Sequence, residues 1–127
     1  MESGQERRGS KRVIFPCKIM ISSPVRMLVS HTENISDGGI RVIIEEKLPI
    51  FTMVGIELFI DKNKPIKCKG KVAWVKEVVN PIERSAMMFD IGIKFIDIND
   101  FDRNYIKKLV VSCCEQGKED KDGNRAG

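Results

Sequence analysis

Arg7, Arg8, Lys11 and Arg12 crowd into the stretch ERRGSKRV at residues 6–13. A guanidinium grips phosphate through paired, charge-assisted hydrogen bonds. It also reaches the O6 and N7 edge of guanine and stacks on planar rings. Arg8 and Arg12 stand four apart, with Arg7 beside the first and Lys11 beside the second. Such a segment can wrap an anionic, purine-containing ligand from one side, or it can be a solvated basic leader. A second polar stretch, ENISDGGI at 33–40, interrupts a region of Val, Ile and Met. Asn34 and Ser36 bond nearby backbone and favour turns. Gly38 and Gly39 permit positive φ or a close backbone approach. A plain connection between strands accounts for these residues, and so does a binding surface.

Other chemistry is sparse. The single histidine, His31, falls on an apolar strand pattern, where a structural role is the commoner one. No G-x-S-x-G elbow, P-loop or H-E-x-x-H is present. Asp97, Asp100 and Asp102 gather where a helix N-terminus uses carboxylates anyway. An enzyme is therefore not expected. Cys17, Cys68, Cys113 and Cys114 form no C-x-x-C pair and lie far from His31 in sequence. Four free thiols, no metal and no resident cofactor are the expectation.

The elements that must position the two polar stretches follow from periodicity. VIFPCKIMIS (13–22) alternates, with Val13, Phe15, Cys17, Ile19 and Ile21 on one face. Pro16 cannot donate to a ladder and marks an edge or a bulge. VRMLVSHTENI (25–35) predicts a second strand with Val25, Met27, Val29 and His31 sharing a face. IRVII (40–44) and MVGIELFI (53–60) predict the third and fourth. DKNKP (61–65) is a hairpin turn. IKCKGKVAWVKEV (66–78) predicts a fifth, with Ile66, Cys68, Gly70, Val72 and Trp74 on one face and a bulge near Val75. MMFDIGIKFI (87–96) predicts a sixth, facing inward through Phe89, Ile91, Ile93 and Phe95. From Asp97 the apolar steps become helical through Phe101, Tyr105, Ile106, Leu109, Val110 and Cys113. Asp97 or Asn99 caps that helix, and Gly117 stops it.

Six short strands and a terminal helix predict an all-β dominated fold. Its form is a six-stranded antiparallel β-barrel with a C-terminal α-helix packed on it. Trp74, Phe89, Phe95 and Phe101 are expected in the core or the helix–barrel contact. The 127 residues suggest one domain, divided as a flexible arginine segment (1–12), the barrel and helix (13–115) and a disordered tail (116–127). The net charge of +4 is mild. No apolar run nears the roughly 18 residues of a membrane span, and the N-terminus lacks a signal-peptide core. A cytoplasmic protein with no membrane partner is expected.

Taken together, R-x-x-x-R before the first strand and N-x-S-x-x-G between the second and third resemble the PilZ domain family. The matching residues are Arg8 and Arg12, then Asn34, Ser36 and Gly39. AWV at 73–75 and GIKF at 92–95, just ahead of the helix, fit the same pattern, so the resemblance covers about residues 6–115. It implies binding of cyclic di-GMP, a bacterial second messenger. Arg8 and Arg12, assisted by Arg7, would clamp phosphate and guanine. Asn34 would bond a guanine edge or ribose, Ser36 the ligand or the turn, and Gly39 would let the backbone come close. The family often has Asp where Asn34 stands; Asn keeps the carbonyl acceptor and loses the charge. The ligand would order residues 1–12 and change the surface offered to an unidentified protein effector. Two alternatives stand beside this: a PilZ-like protein-interaction adaptor that binds no nucleotide, and a small basic barrel binding nucleic acid. The few aromatics, mostly on predicted core faces, make nucleic acid the weaker of the two.

Overall fold

The computed structural model describes residues 11–117. The first predicted strand is split. β1 spans Val13–Ile14 and β2 spans Lys18–Ser22. Pro16 lies in the gap, where it cannot donate. Thr32 fills the break from the neighbouring strand β3 (Met27–Ser36). Its hydroxyl donates to the Phe15 carbonyl at 2.6 Å and accepts from the Cys17 N–H at 3.1 Å. β4 (Gly39–Ile44), β5 (Met53–Leu58), β6 (Ile66–Val79) and β7 (Met87–Asp97) complete the sheet. Its order is β1-β3-β2-β5-β6-β7-β4, all antiparallel, and a further β3–β4 pairing closes it. Treated as one broken strand, β1 and β2 make this the expected six-stranded barrel. Closure leaves the sheet without two long free edges.

Ile19, Ile21, Ile35, Ile40, Val42, Ile56, Leu58, Val72, Ile91 and Ile93 fill the barrel, and Leu48 closes one end from the β4–β5 connection. Helix α1 (Asp100–Glu115) lays Ile106, Val110 and Cys113 against it. Asn99 is the N-cap. Its carboxamide oxygen accepts from the Asp102 N–H at 2.8 Å, while its amide donates to the Asp102 carboxylate at 3.0 Å. Gly117 stands just past the helix with φ +78°, the left-handed stop that glycine favours.

Three expectations need correction. Val25, Met27 and Val29 point outward and are exposed, as is His31. A register shift between Thr32 and Asn34 inverts the parity of β3, so Ile35 faces the core although Val29 and His31 do not. Trp74 lies on the outside of the barrel: the β6 bulge falls between Val72 and Trp74, at Ala73 rather than near Val75, and turns Val75 inward instead. Phe101 is 74% exposed, because the contact arc of α1 centres on Ile106, Val110 and Cys113 and leaves the Phe101 side open. Phe95 is buried and Phe89 packs against the core, as expected.

All four cysteines are free thiols. Burial, aided by the negative charges of Asp102 and Asp97, pushes the Cys68 thiol up to about 12 from an ordinary 9.0. Cys17 is raised by burial as well. A raised thiol pKa keeps the sulfur protonated and unreactive at pH 8 to 9. Native protein treated with iodoacetamide at about pH 8.5 is therefore expected to keep Cys68 unmodified until denaturant is added. Peptide mass mapping that finds Cys68 fully alkylated in the native state would contradict this.

Candidate functional site

The closed register places the polar turn and Arg12 together. Asn34 pairs with Arg41, Arg41 with Gly92, and Gly92 with Trp74. The residues flanking this row, Ile35, Ile40, Val42, Ile91 and Ile93, point into the core. The row itself therefore lies on the outer surface, since side chains alternate along a strand. Arg12, immediately before β1, arrives at the same place because β1 pairs with β3 at Ile14↔Asn34. Its Nη1 donates to Asn34 Oδ1 at 3.3 Å, across a separation of 22 residues. Asn34 is fully buried. Its side chain is thus a seat that positions the arginine.

Ser36 organises the turn. Its hydroxyl oxygen accepts from the Gly38 N–H at 3.1 Å and the Gly39 N–H at 3.2 Å. These bonds bring two successive amides into one bend. Gly39 has no positive φ; its reason is steric. A Cβ there would collide with the Ile93 carbonyl oxygen and come within 3.2 Å of Ile93 C and Lys94 Cα. The close approach the sequence suggested is made by β7.

Helix α1 braces this turn from outside. Arg103 Nη1 donates to the Asp37 carbonyl at 3.0 Å, and Lys107 Nζ lies 4.0 Å from the Asp37 carboxylate. Beside the row, Arg41 meets Asp90 through two parallel bonds of 2.8 Å each, the fork geometry of a strong arginine–carboxylate pair. Asp90 is nearly buried beneath it. The Trp74 indole lies directly over the Gly92 backbone, where any Cβ would strike Nε1 and Cε2. A planar ring resting on glycine, on the same outer row as the Arg12 seat, is a surface suited to stacking a base beside an arginine that can hold a phosphate.

Of the residues singled out from sequence, the structure brings Arg12, Asn34, Ser36 and Gly39 to one face. Arg7 and Arg8 lie outside the described residues. Arg41, Asp90, Trp74 and Gly92 lie on the same face and were not singled out as site residues from sequence. Trp74 and Gly92 were signalled only through A-W-V and G-I-K-F, Arg41 and Asp90 through no motif, and the bulge at Ala73 that turns Trp74 outward is not written in any single residue. No group of three or more His, Cys, Asp or Glu among the described residues is placed to hold a metal ion.

The fold is thus a closed antiparallel barrel carrying an arginine, a serine-ordered glycine turn and a half-buried indole on one outer face. A PilZ domain model matches residues 6–112, and the chain belongs to the PilZ domain family. Solved structures share the fold. The PilZ domain of YcgR from Escherichia coli, with c-di-GMP, superposes with a TM-score of 0.68 at 13% identity, covering 87% of this chain and 94% of that one. The MrkH–c-di-GMP complex of K. pneumonia gives 0.72 at 16% identity, covering 88% of this chain and 54% of MrkH. The inhibitor of motility MotI/DgrA of Bacillus subtilis gives 0.70 at 14% identity, covering 84% and 50%. The chain therefore spans about half the length of the MrkH and MotI/DgrA chains. No match was found among curated protein sequences.

Proposed function

We propose that this chain is a cyclic di-GMP receptor that signals to a protein partner, and that the outer face around Arg12 and Asn34 is its ligand site. The observation that carries the reading is the Arg12–Asn34 contact, which joins the two polar stretches beside Trp74 and Arg41. In this reading Arg12, with Arg8 and Arg7, clamps phosphate and the guanine edge. Ser36, by accepting from the Gly38 and Gly39 amides, fixes the shape of the turn beside the ligand, and Gly39 keeps β7 close beneath it. Trp74 supplies a stacking face. Binding orders residues 1–12 over the platform and so alters the surface offered to a partner. Family membership supports a receptor rather than an enzyme. The structural relatives YcgR and MrkH, both solved with c-di-GMP, and MrkH's description as a c-di-GMP-dependent transcription regulatory factor support a receptor reading.

Isothermal titration with cyclic di-GMP tests the proposal. Binding at micromolar or tighter affinity is expected. Saturating ligand should stabilise the fold by about 2.7 kcal/mol at a concentration roughly 100 times the Kd. No heat and no change in Tm would overturn it. Titration stoichiometry also decides between one ligand and a stacked pair.

A further inference from the structure

The β4–β5 connection (residues 45–52) treats its apolar residues unequally. Leu48 is buried in the barrel end, yet Ile50 and Phe51 are 50% and 68% exposed, and Met53, the first residue of β5, is 45% exposed. Phe51 has φ +75°, the single non-glycine residue with positive φ among those described. A bulky side chain is a genuine outlier in that region, and such a conformation persists only when its surroundings over-determine it. Two hydrogen bonds do so. The Phe51 N–H donates to the Val72 carbonyl at 2.8 Å, and the Val72 N–H donates to the Thr52 carbonyl at 2.9 Å. The backbone is thus clamped in a strained form whose effect is to hold an aromatic ring in solvent.

The same face carries uncompensated charge. Lys71 is in register with Met53 on one side and with Lys94 on the other. Directly opposed side chains stand only about 4.5–5.5 Å apart at Cβ, and like charges there are unfavourable. Lys69 lies one outward step along the strand, about 6.6–6.8 Å away. All three lysines are exposed, and none is in an ion pair among the described residues. Asp97, opposite Lys69, is the one carboxylate in register with the three. Lys71 Nζ lies 6.0 Å from the centre of the Phe51 ring, so the apolar tip and the basic row are one surface.

We propose that this face docks on an anionic membrane surface, with Phe51, Ile50 and Met53 entering the headgroup region and Lys69, Lys71 and Lys94 on anionic headgroups. Apolar side chains at a protruding tip flanked by lysines are the combination that binds such an interface, one part by burial and the other by charge. Single-stranded nucleic acid fits the observations less well. Two of the three tip residues are aliphatic and offer a base no face to stack on. No helix among the described residues is long and apolar enough to cross a membrane. Docking needs none, so the expectation of no membrane partner, which rested on spanning length, does not bear on it.

Co-sedimentation with vesicles tests the proposal. One set is phosphatidylcholine alone, and the other carries about 30% phosphatidylserine. The chain is expected to pellet with the anionic set only. It should be released at roughly 0.5 M salt, where screening shortens electrostatic reach to a few ångströms. Phe51→Gly should lower the bound fraction about tenfold through loss of one large apolar side chain. Glycine adopts the φ of residue 51 without strain, so Tm should hold or rise, and misfolding cannot explain the loss. A Lys69→Gln, Lys71→Gln, Lys94→Gln variant should lose the preference for anionic vesicles. The proposal is overturned by absence of anionic-vesicle binding, by equal capture on neutral vesicles, or by an unaffected Phe51→Gly. Salt-sensitive binding to a labelled single-stranded oligonucleotide without vesicle capture overturns it too, and assigns the face to nucleic acid.

Discussion

Arg12→Ala is expected to abolish measurable cyclic di-GMP binding while leaving the circular dichroism spectrum unchanged. Hydrogen bonds to charged groups contribute about 1.5–3 kcal/mol each. A guanidinium gripping a phosphate by two of them should thus be worth at least about 3 kcal/mol, or on the order of a hundredfold in Kd. The loss should fall on binding alone, because Arg12 precedes β1 and lies outside the strand ladder that holds the barrel together. Arg12→Lys refines the test. Lysine keeps the charge but not the planar fork, so it should recover only part of the affinity. Titration of both variants against the parent checks this. Parent-like affinity in Arg12→Ala would remove Arg12 from the site, whatever the parent itself binds.

Gly39→Ala should be the most damaging of the conservative changes. The added methyl would meet the β7 backbone at Ile93, which cannot rotate aside as a side chain can. Overpacking of this kind typically costs 1–3 kcal/mol. In a domain of this size each kcal/mol lowers Tm by roughly 4–8 °C. Gly55→Ala is the matched control. It adds the same methyl in β5, but the nearest obstacle is the Ser22 Cβ at 3.6 Å, an ordinary contact. That change should be neutral or stabilising by roughly 0.5 kcal/mol, since glycine is a poor strand residue. Thermal melts of the two variants side by side check the prediction. Equal Tm values would mean that β4 and β7 can separate at Gly39 without cost.

The barrel was legible because its core strands keep strict alternation over short runs. Ile40, Val42 and Ile44 or Ile91, Ile93 and Phe95 fix an inward face without help from neighbours. The helix was legible for the same reason at a different period. What alternation hides is a change of parity within a strand. Over residues 25–35 the sequence reads Val25, Met27, Val29 and His31 as one face, yet these point outward and the register shift after Thr32 turns Ile35 inward. In β6 a bulge at Ala73, ahead of the expected position near Val75, sends Trp74 outward and brings Val75 in. A bulge depends on the partner strand, so neither misplacement could be resolved within its own segment. The meeting of Arg12 with Asn34 was anticipated through family resemblance. The Arg41–Asp90 pair was not, because the partners are 49 residues apart and neither sits in a recognisable motif.

If cyclic di-GMP rests on the Ser36–Gly39 loop as proposed, the brace between Arg103 and the Asp37 carbonyl gives the terminal helix a stake in its affinity. Where two events lean on one bend of backbone, linkage makes their influence mutual and equal. Under the proposed site, a protein that captures the helix and strips Arg103 from Asp37 would shift the dissociation constant of the nucleotide, and the nucleotide would shift that protein's grip by the same factor.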